Sequence, residues 1–261
     1  MQPIFCVSDL HLCDRGPRDN FIARGEERFF KFLDYVNQQQ GELYILGDLF
    51  DWFQCNLSAS MLAYADLLSR LANVGELGAL WVVGNHDNAF AKFIGSNVNL
   101  RMSRPTMSKP FEATIGGKRF AFLHGHEADP TCSSLNPGIG ELTAIMSAMI
   151  EDHNQGPNKN GLAVEDVFIG ALEAPLNIWR HVIHQATRRT ELIDNVEAYR
   201  KAAGANVVIS GHTHEPGRIG TYYYNTGCWC RDQDTFVRID EDRIILYEWK
   251  DGPYLFEGVL R

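Results

Sequence analysis

Five polar clusters occur in order along the chain, each directly after a short apolar run. Asp9-Leu10-His11 follows residues 3–8, and Gly47-Asp48-Leu49-Phe50-Asp51 follows residues 43–46. Gly84-Asn85-His86-Asp87 follows residues 79–83, His124-Gly125-His126 follows residues 119–123, and Gly211-His212-Thr213-His214 follows residues 206–210. Short apolar runs bounded by turn residues read as buried strands. An open α/β sheet binds its ligands at the carboxyl ends of its strands. A chain built this way therefore has few options: it must form a sheet whose strand ends bring the five clusters to one edge.

The intervening segments support such a sheet. Residues 26–37 place Phe29, Leu33 and Val36 on one helical face, and residues 58–73 read as a second amphipathic helix. Strands alternating with helices predict parallel βαβ units in the first half. Further on, residues 111–115 and 119–123 flank Gly116-Gly117, a hairpin signal. Residues 235–239 and 244–249 flank an acidic turn, and these later strands are expected to be antiparallel. The predicted class is α/β: a layered mixed sheet protein forming a single domain over residues 1–261. Residues 133–203 stand apart, with little strand signal and several amphipathic stretches, and read as a helical insertion.

The cluster residues define a chemistry. Carboxylates, imidazoles and an amide oxygen make a mixed oxygen and nitrogen shell that suits Mn²⁺, Fe, Zn²⁺ or Co²⁺ better than Ca²⁺. Asp9, His11, Asp48, Asn85, His124, His212 and His214 are seven candidate ligands, more than one ion takes. A shared carboxylate suits two ions roughly 3.5–4 Å apart, which activate water for in-line attack on phosphorus. The expected cofactor is a pair of divalent ions, Mn²⁺ first. Each cluster alone has an ordinary structural explanation as a turn or helix cap; five in order do not.

This ordered set, D-x-H, G-D-x-x-D, G-N-H-D, H-G-H and G-H-T-H, resembles the calcineurin-like metallophosphoesterases. The resemblance runs from Ser8 to about Trp249, apart from the insertion. It implies a β-sandwich flanked by helices, in an αββα layering, with a dinuclear centre at one edge. It also implies that Asp9, His11 and His214 hold the first ion, Asn85, His124 and His212 the second, with Asp48 bridging. His86 matches the histidine that contacts phosphate and protonates the leaving oxygen, with Asp87 orienting it. His126 matches no ligand position of the family, although it could exchange roles with His124. Within the family the chain looks most like the branch of UDP-2,3-diacylglucosamine pyrophosphatases, through Ser8 to Leu12, the Gly47 and His124 clusters, His214-Glu215-Pro216 and Tyr224-Asn225-Thr226-Gly227. It departs from that branch at His86, where those enzymes tend to carry Arg. The implied substrate is a phosphate ester or nucleotide diphosphate, lipid-linked in that branch.

The insertion is expected to cap the site and set what enters it. Arg180, His184 and Arg188 fall at helical spacing on one face, either a phosphate-binding face or a solvated basic face paired with Glu173 or Glu191. Phe168, Trp179, Ile183 and the Met146/Met149 stripe either line an acyl pocket or pack within the cap. Asn225 is a candidate near the substrate, and Trp229 is expected to pack beneath the metals. A third role for the insertion is docking on a membrane surface.

Composition narrows the function further. A net charge of −9 argues against a general nucleic-acid binder, and so against a nuclease with a long basic groove. A cyclic-nucleotide phosphodiesterase and a non-catalytic scaffold are two competing functions for such a fold, and the complete ligand set speaks against the scaffold. The six cysteines are scattered, and Cys228 and Cys230 are two apart; reduced structural thiols are expected. No charged, apolar leader precedes the first strand, so the expected location is cytoplasmic, with the inner membrane face as a place of peripheral contact.

Overall fold

In a computed structural model, the first part of the chain contains four parallel strands with helices between them. The structure describes residues 2–17, 19–52, 54–94, 101–106, 111–129, 187–241 and 243–260. Strands β1 (Ile4–Val7), β2 (Glu42–Leu46), β3 (Leu80–Val82) and β4 (Arg101–Ser103) pair in parallel in that order. The connections carry α1 (Asn20–Ala23), α2 (Glu27–Gln38), α3 (Leu57–Ala63) and α4 (Ala65–Ala72). The single helix expected over residues 58–73 is two helices, broken at Tyr64. That residue has left helical geometry, with φ −113° and ψ 27°, and its buried hydroxyl donates to Asp19 Oδ2 at 2.6 Å.

A second sheet follows: β5 (Phe111–Ile115), β6 (Lys118–Phe122), β7 (Val207–Ser210), β8 (Gly217–Ile219) and β9 (Tyr223–Asn225), in the order β5-β6-β7-β9-β8. Gly116 and Gly117, at φ 54° and 76°, close the predicted hairpin in the left-handed region that a two-residue turn needs. The expectation of antiparallel later strands holds only in part, because β6, β7 and β9 are parallel neighbours. The connection from β6 to β7 contains α5 (Thr187–Ala202), and a helix-bearing crossover returns the chain in the same direction. Then β10 (Thr235–Ile239), β11 (Ile244–Trp249) and β12 (Pro253–Leu255) extend the first sheet on its β1 side, all antiparallel. The short β4, β8 and β12 carry too little apolar pattern to be read from sequence.

Strand alternation sorts the core into layers. Ile4 and Cys6 of β1, Tyr44 and Leu46 of β2, and Leu80 and Val82 of β3 face the second sheet, against Phe120, Phe122, Val207 and Ile209. The intervening Phe5, Val7, Leu43, Ile45 and Trp81 face Phe29, Phe32 and Val36 of α2 and Leu67 and Leu71 of α4. On the far side, Leu192, Val196 and Tyr199 of α5 cover Ala121, Val208 and Tyr223. The result is the expected αββα layering. Of the expected insertion at residues 133–203, residues 133–186 lie outside the described residues.

Candidate metal centre

All five clusters emerge at the carboxyl ends of strands: β1, β2 and β3 in the first sheet, β6 and β7 in the second. Backbone hydrogen bonds tie the emerging loops together. Asp9 N donates to Gly47 O at 3.1 Å, His11 N to Asp48 O at 3.0 Å, Gly211 N to His124 O at 2.8 Å, and Trp229 N to Asp9 O at 3.1 Å. Five of the predicted ligands, Asp9, His11, Asp48, His212 and His214, have φ between 51° and 74°. Non-glycine residues in this region are strained, and such strain concentrates at functional sites. Here it brings the Asp9, His11, Asp48 and His214 side chains within reach of one another, while the His212 ring lies 5.0 Å from that of His124.

Two carboxylates are held by the same device. One oxygen of each is fixed by a backbone amide: His212 N donates to Asp9 Oδ2 and His86 N to Asp48 Oδ1, both at 2.9 Å. The Ser8 hydroxyl also donates to Asp9 Oδ2. The second oxygen of each then faces imidazoles. Asp9 Oδ1 lies 3.1 Å from His214 Nε2, 3.6 Å from His11 Nε2 and 4.0 Å from His124 Nε2. Asp48 Oδ2 lies 3.1 Å from His124 Nε2 and 3.8 Å from His11 Nε2. Asn85 Oδ1 completes this side at 3.1 Å from His124 Nε2. The cluster glycines leave room for this approach: a Cβ on Gly84 would sit 2.1 Å from Asp48 Oδ1, and one on Gly211 2.5 Å from Asp9 Oδ2.

The residues present fit divalent ions. Asp9 is fully buried, yet its Oδ1 accepts no hydrogen bond among the described residues. A buried carboxylate oxygen without a donor is costly unless a cation meets it. His11 Nε2 and His214 Nε2 face one another at 3.1 Å, a spacing that suits two ligands of one ion. The electrostatics agree. Burial pushes the Asp9 carboxyl up, but His214, His124 and His11 together hold it well below the usual range. Burial likewise opposes the protonated form of His124, yet Asp48 and Asp9 push it up to about 9. The site thus gathers positive charge even through its own imidazoles. Spatial groupings of donors place Asp9, Asp48 and His124 together, His11, Asp48 and His86 together, and His11, His214 and Cys230 together.

Other predicted residues fall elsewhere. Asp87 does not orient His86. It is fully buried and turned inward, where its carboxylate accepts from Gly84 N, Leu49 N and Trp81 Nε1 at 2.6–3.1 Å. Burial and the nearby Asp48 charge push its pKa up to about 7. The carboxylate on His86 is Asp51, whose Oδ1 lies 2.9 Å from His86 Nδ1 while its Oδ2 lies 3.2 Å from His11 Nδ1. Asn225 is also fully buried; its amide donates to Gly211 O at 2.6 Å and accepts from Gly227 N at 2.9 Å. It braces the loop that carries His212 rather than facing a substrate. His126 stands outside the three donor groupings, and burial lowers it to about 4. Trp229 is fully buried, its backbone N donating to Asp9 O and its ring edge-on to Phe29. Arg180 and His184 lie outside the described residues, and Arg188 is in the first turn of α5.

Three contributors had no role assigned from sequence. Asp51 was visible as the last residue of Gly47-Asp48-x-x-Asp51. Asp129, whose Oδ2 meets His212 Nε2 at 3.0 Å, and Glu127, which accepts from Gly125 N at 2.7 Å, follow the His124 cluster without any periodic signal.

Comparison with known proteins gives the family. A family model described as calcineurin-like phosphoesterase matches residues 2–216. A UDP-2,3-diacylglucosamine hydrolase of Aromatoleum aromaticum is 24% identical over 266 residues, covering 95% of this chain and 90% of that protein. A protein of the same description from Cellvibrio japonicus is 27% identical over 217 residues, covering 81% of this chain and 82% of its own. Among solved structures, a dimetal phosphatase from Danio rerio superposes with a TM-score of 0.52 at 12% identity, covering 96% of both chains, which shows a shared fold.

Proposed function

The chain belongs to the calcineurin-like phosphoesterase family and is a hydrolase of phosphoester or pyrophosphate bonds, and from this premise we propose that it is a two-metal enzyme acting on an acylated nucleotide sugar. Asp9, His11 and His214 would hold one divalent ion and Asn85, His124 and His212 the other, with Asp48 shared. His212 would bind through Nδ1, since Asp129 meets its Nε2. Bound there, such ions supply an activated water and neutralise charge on a phosphoryl group. The observation that carries this reading is the buried Asp9 Oδ1, which accepts no well-formed hydrogen bond among the described residues and has three imidazole nitrogens within 4.0 Å.

The chain's own groups do the rest. Asp51 fixes His86 through Nδ1, which leaves Nε2 as the atom that can donate a proton to the leaving oxygen. The side chain of His86 is 14% exposed, at the boundary between the buried ligands and solvent where a substrate enters. The curated relatives are named for UDP-2,3-diacylglucosamine, which supports a pyrophosphate bond flanked by a uridine nucleotide and an acylated sugar as the target. A lipid-linked substrate would bring the protein to a membrane surface; no helix among the described residues is long and apolar enough to cross one.

The test is Mn²⁺-dependent hydrolysis of UDP-2,3-diacylglucosamine beside bis-p-nitrophenyl phosphate. Fast release of UMP from the lipid nucleotide, with slow cleavage of the generic diester, is the expected result. Cleavage of the diester alone would keep the metal chemistry and overturn the substrate.

A further inference from the structure

The four imidazoles expected to hold metal each have their other ring nitrogen against a partner. His11 Nδ1 lies 3.2 Å from Asp51 Oδ2, His124 Nδ1 2.7 Å from Leu46 O, and His212 Nε2 3.0 Å from Asp129 Oδ2. Metal-ligating histidines are commonly fixed this way by oxygen, which sets the tautomer and the ring orientation. His214 differs: its Nδ1 lies 3.9 Å from Cys230 Sγ. We propose that Cys230 is a positioning residue of the metal centre, its sulfur accepting the Nδ1–H of His214 so that the Nε2 lone pair stays turned toward Asp9 and His11. This rests on the reading that Asp9, His11 and His214 hold an ion.

Several observations place the sulfur there by design of the fold. Cys230 is 8% exposed, so it is not a surface thiol. The turn that carries it is anchored on the very residue His214 faces, because Trp229 N donates to Asp9 O at 3.1 Å. The same turn is held by Trp229 Nε1 on Thr235 O at 3.0 Å and by the Arg28 guanidinium on Trp229 O. On the other edge of the His214 ring, Nε2 lies 3.1 Å from Asp9 Oδ1, the buried oxygen that accepts no well-formed hydrogen bond among the described residues. That orphan oxygen marks where a cation belongs, and the ring lies between it and the sulfur. Sulfur is a longer and weaker acceptor than oxygen, so the His214 ring should be held less firmly than the other three.

Cys230 Sγ also lies within 4.8 Å of ring nitrogens of both His11 and His214, so direct ligation by sulfur is the rival geometry. The full-length protein, stripped of metal and titrated with Co²⁺, separates the two. Wild type should bind two ions with no sulfur-to-cobalt charge-transfer band. Cys230→Ala should bind one of the two about 10–100-fold more weakly and alter that ion's visible spectrum, while Cys230→Ser, whose hydroxyl also accepts, should recover most of the affinity. In the wild-type protein loaded with Zn²⁺, ¹⁵N chemical shifts should show His214 as the Nδ1–H tautomer, a readout that needs no variant to fold. Unchanged affinity and spectrum in Cys230→Ala, an Nε2–H tautomer, or a charge-transfer band lost on substitution would each overturn the assignment. Failure of wild type to bind Co²⁺ at all would instead overturn the two-metal reading beneath it.

Discussion

The imidazoles of the candidate metal centre are held in two different ways. On one side His124 is fully buried and held through Nδ1 by a backbone carbonyl, Leu46 O, at 2.7 Å. On the other, His11 and His214 have side chains 9% and 14% exposed and are held by side chains, Asp51 and Cys230, at 3.2 and 3.9 Å. A backbone carbonyl in a strand end moves only if the sheet moves, whereas a side-chain partner is adjustable. The difference teaches that His124 is fixed by the fold, whereas His11 and His214 are fixed by local choices of sequence, as is His212, 13% exposed and set against Asp129 Oδ2 at 3.0 Å. The ion on the His214 side is accordingly expected to exchange faster.

Asp48 joins the halves, since its Oδ2 faces both His124 and His11. Asp48→Asn should therefore erase the contrast: both ions weaken and turnover falls by roughly 10³-fold or more, as loss of a central charge in such a site implies. Retained activity with two bound ions would break the bridging role. Next in size is His86→Ala, expected to slow turnover about 10²–10⁴-fold with metal content unchanged. If an ion is lost with it, His86 is a ligand on the His11 side, as its grouping with His11 and Asp48 allows. Asp51→Asn should sharpen the comparison, weakening only the ion on the His214 side about 10–100-fold while also slowing the rate. Equal weakening of both ions would show that the halves are not separate.

The last contrast is in pH. Without metal, His124 is pushed up to about 9 by Asp48 and Asp9 against the opposing effect of burial, so it carries a proton at neutral pH. A ligand nitrogen must shed that proton to bind an ion. Apparent affinity on the His124 side should thus rise by about tenfold per pH unit up to pH 9 and level off above it. Calorimetric titrations between pH 6 and 9 would show this slope, and a flat profile would mean that His124 does not bind as a neutral ligand.

The strand ends were the legible part of the sequence. Each of the β1, β2, β3, β6 and β7 runs is buried on both faces toward its carboxyl end, so each reads as a continuous apolar segment ending in its cluster. Orientation of side chains within the clusters was less legible. Nothing in Asn85-His86-Asp87 tells that Asp87 turns inward to Trp81 Nε1, 3.1 Å away, while Asp51, from another strand end, reaches His86. That exchange depends on two loops meeting in space, and spacing within one loop does not encode it. The roles of Asp129 and Cys230 are hidden for the same reason, since each acts on a histidine from another part of the chain. The break at Tyr64 was hidden because the apolar period continues across it; Tyr64 leaves helical geometry where its hydroxyl donates to Asp19 from another part of the chain.

The most direct test of the two-ion centre is to count Mn²⁺ bound per chain, by equilibrium dialysis of the metal-depleted protein, for wild type and His214→Ala. Convergence of the five clusters predicts two ions in wild type and one in the variant, the remaining ion bound with nearly unchanged affinity. A single ion or none in wild type, or two ions undisturbed by the substitution, would contradict it.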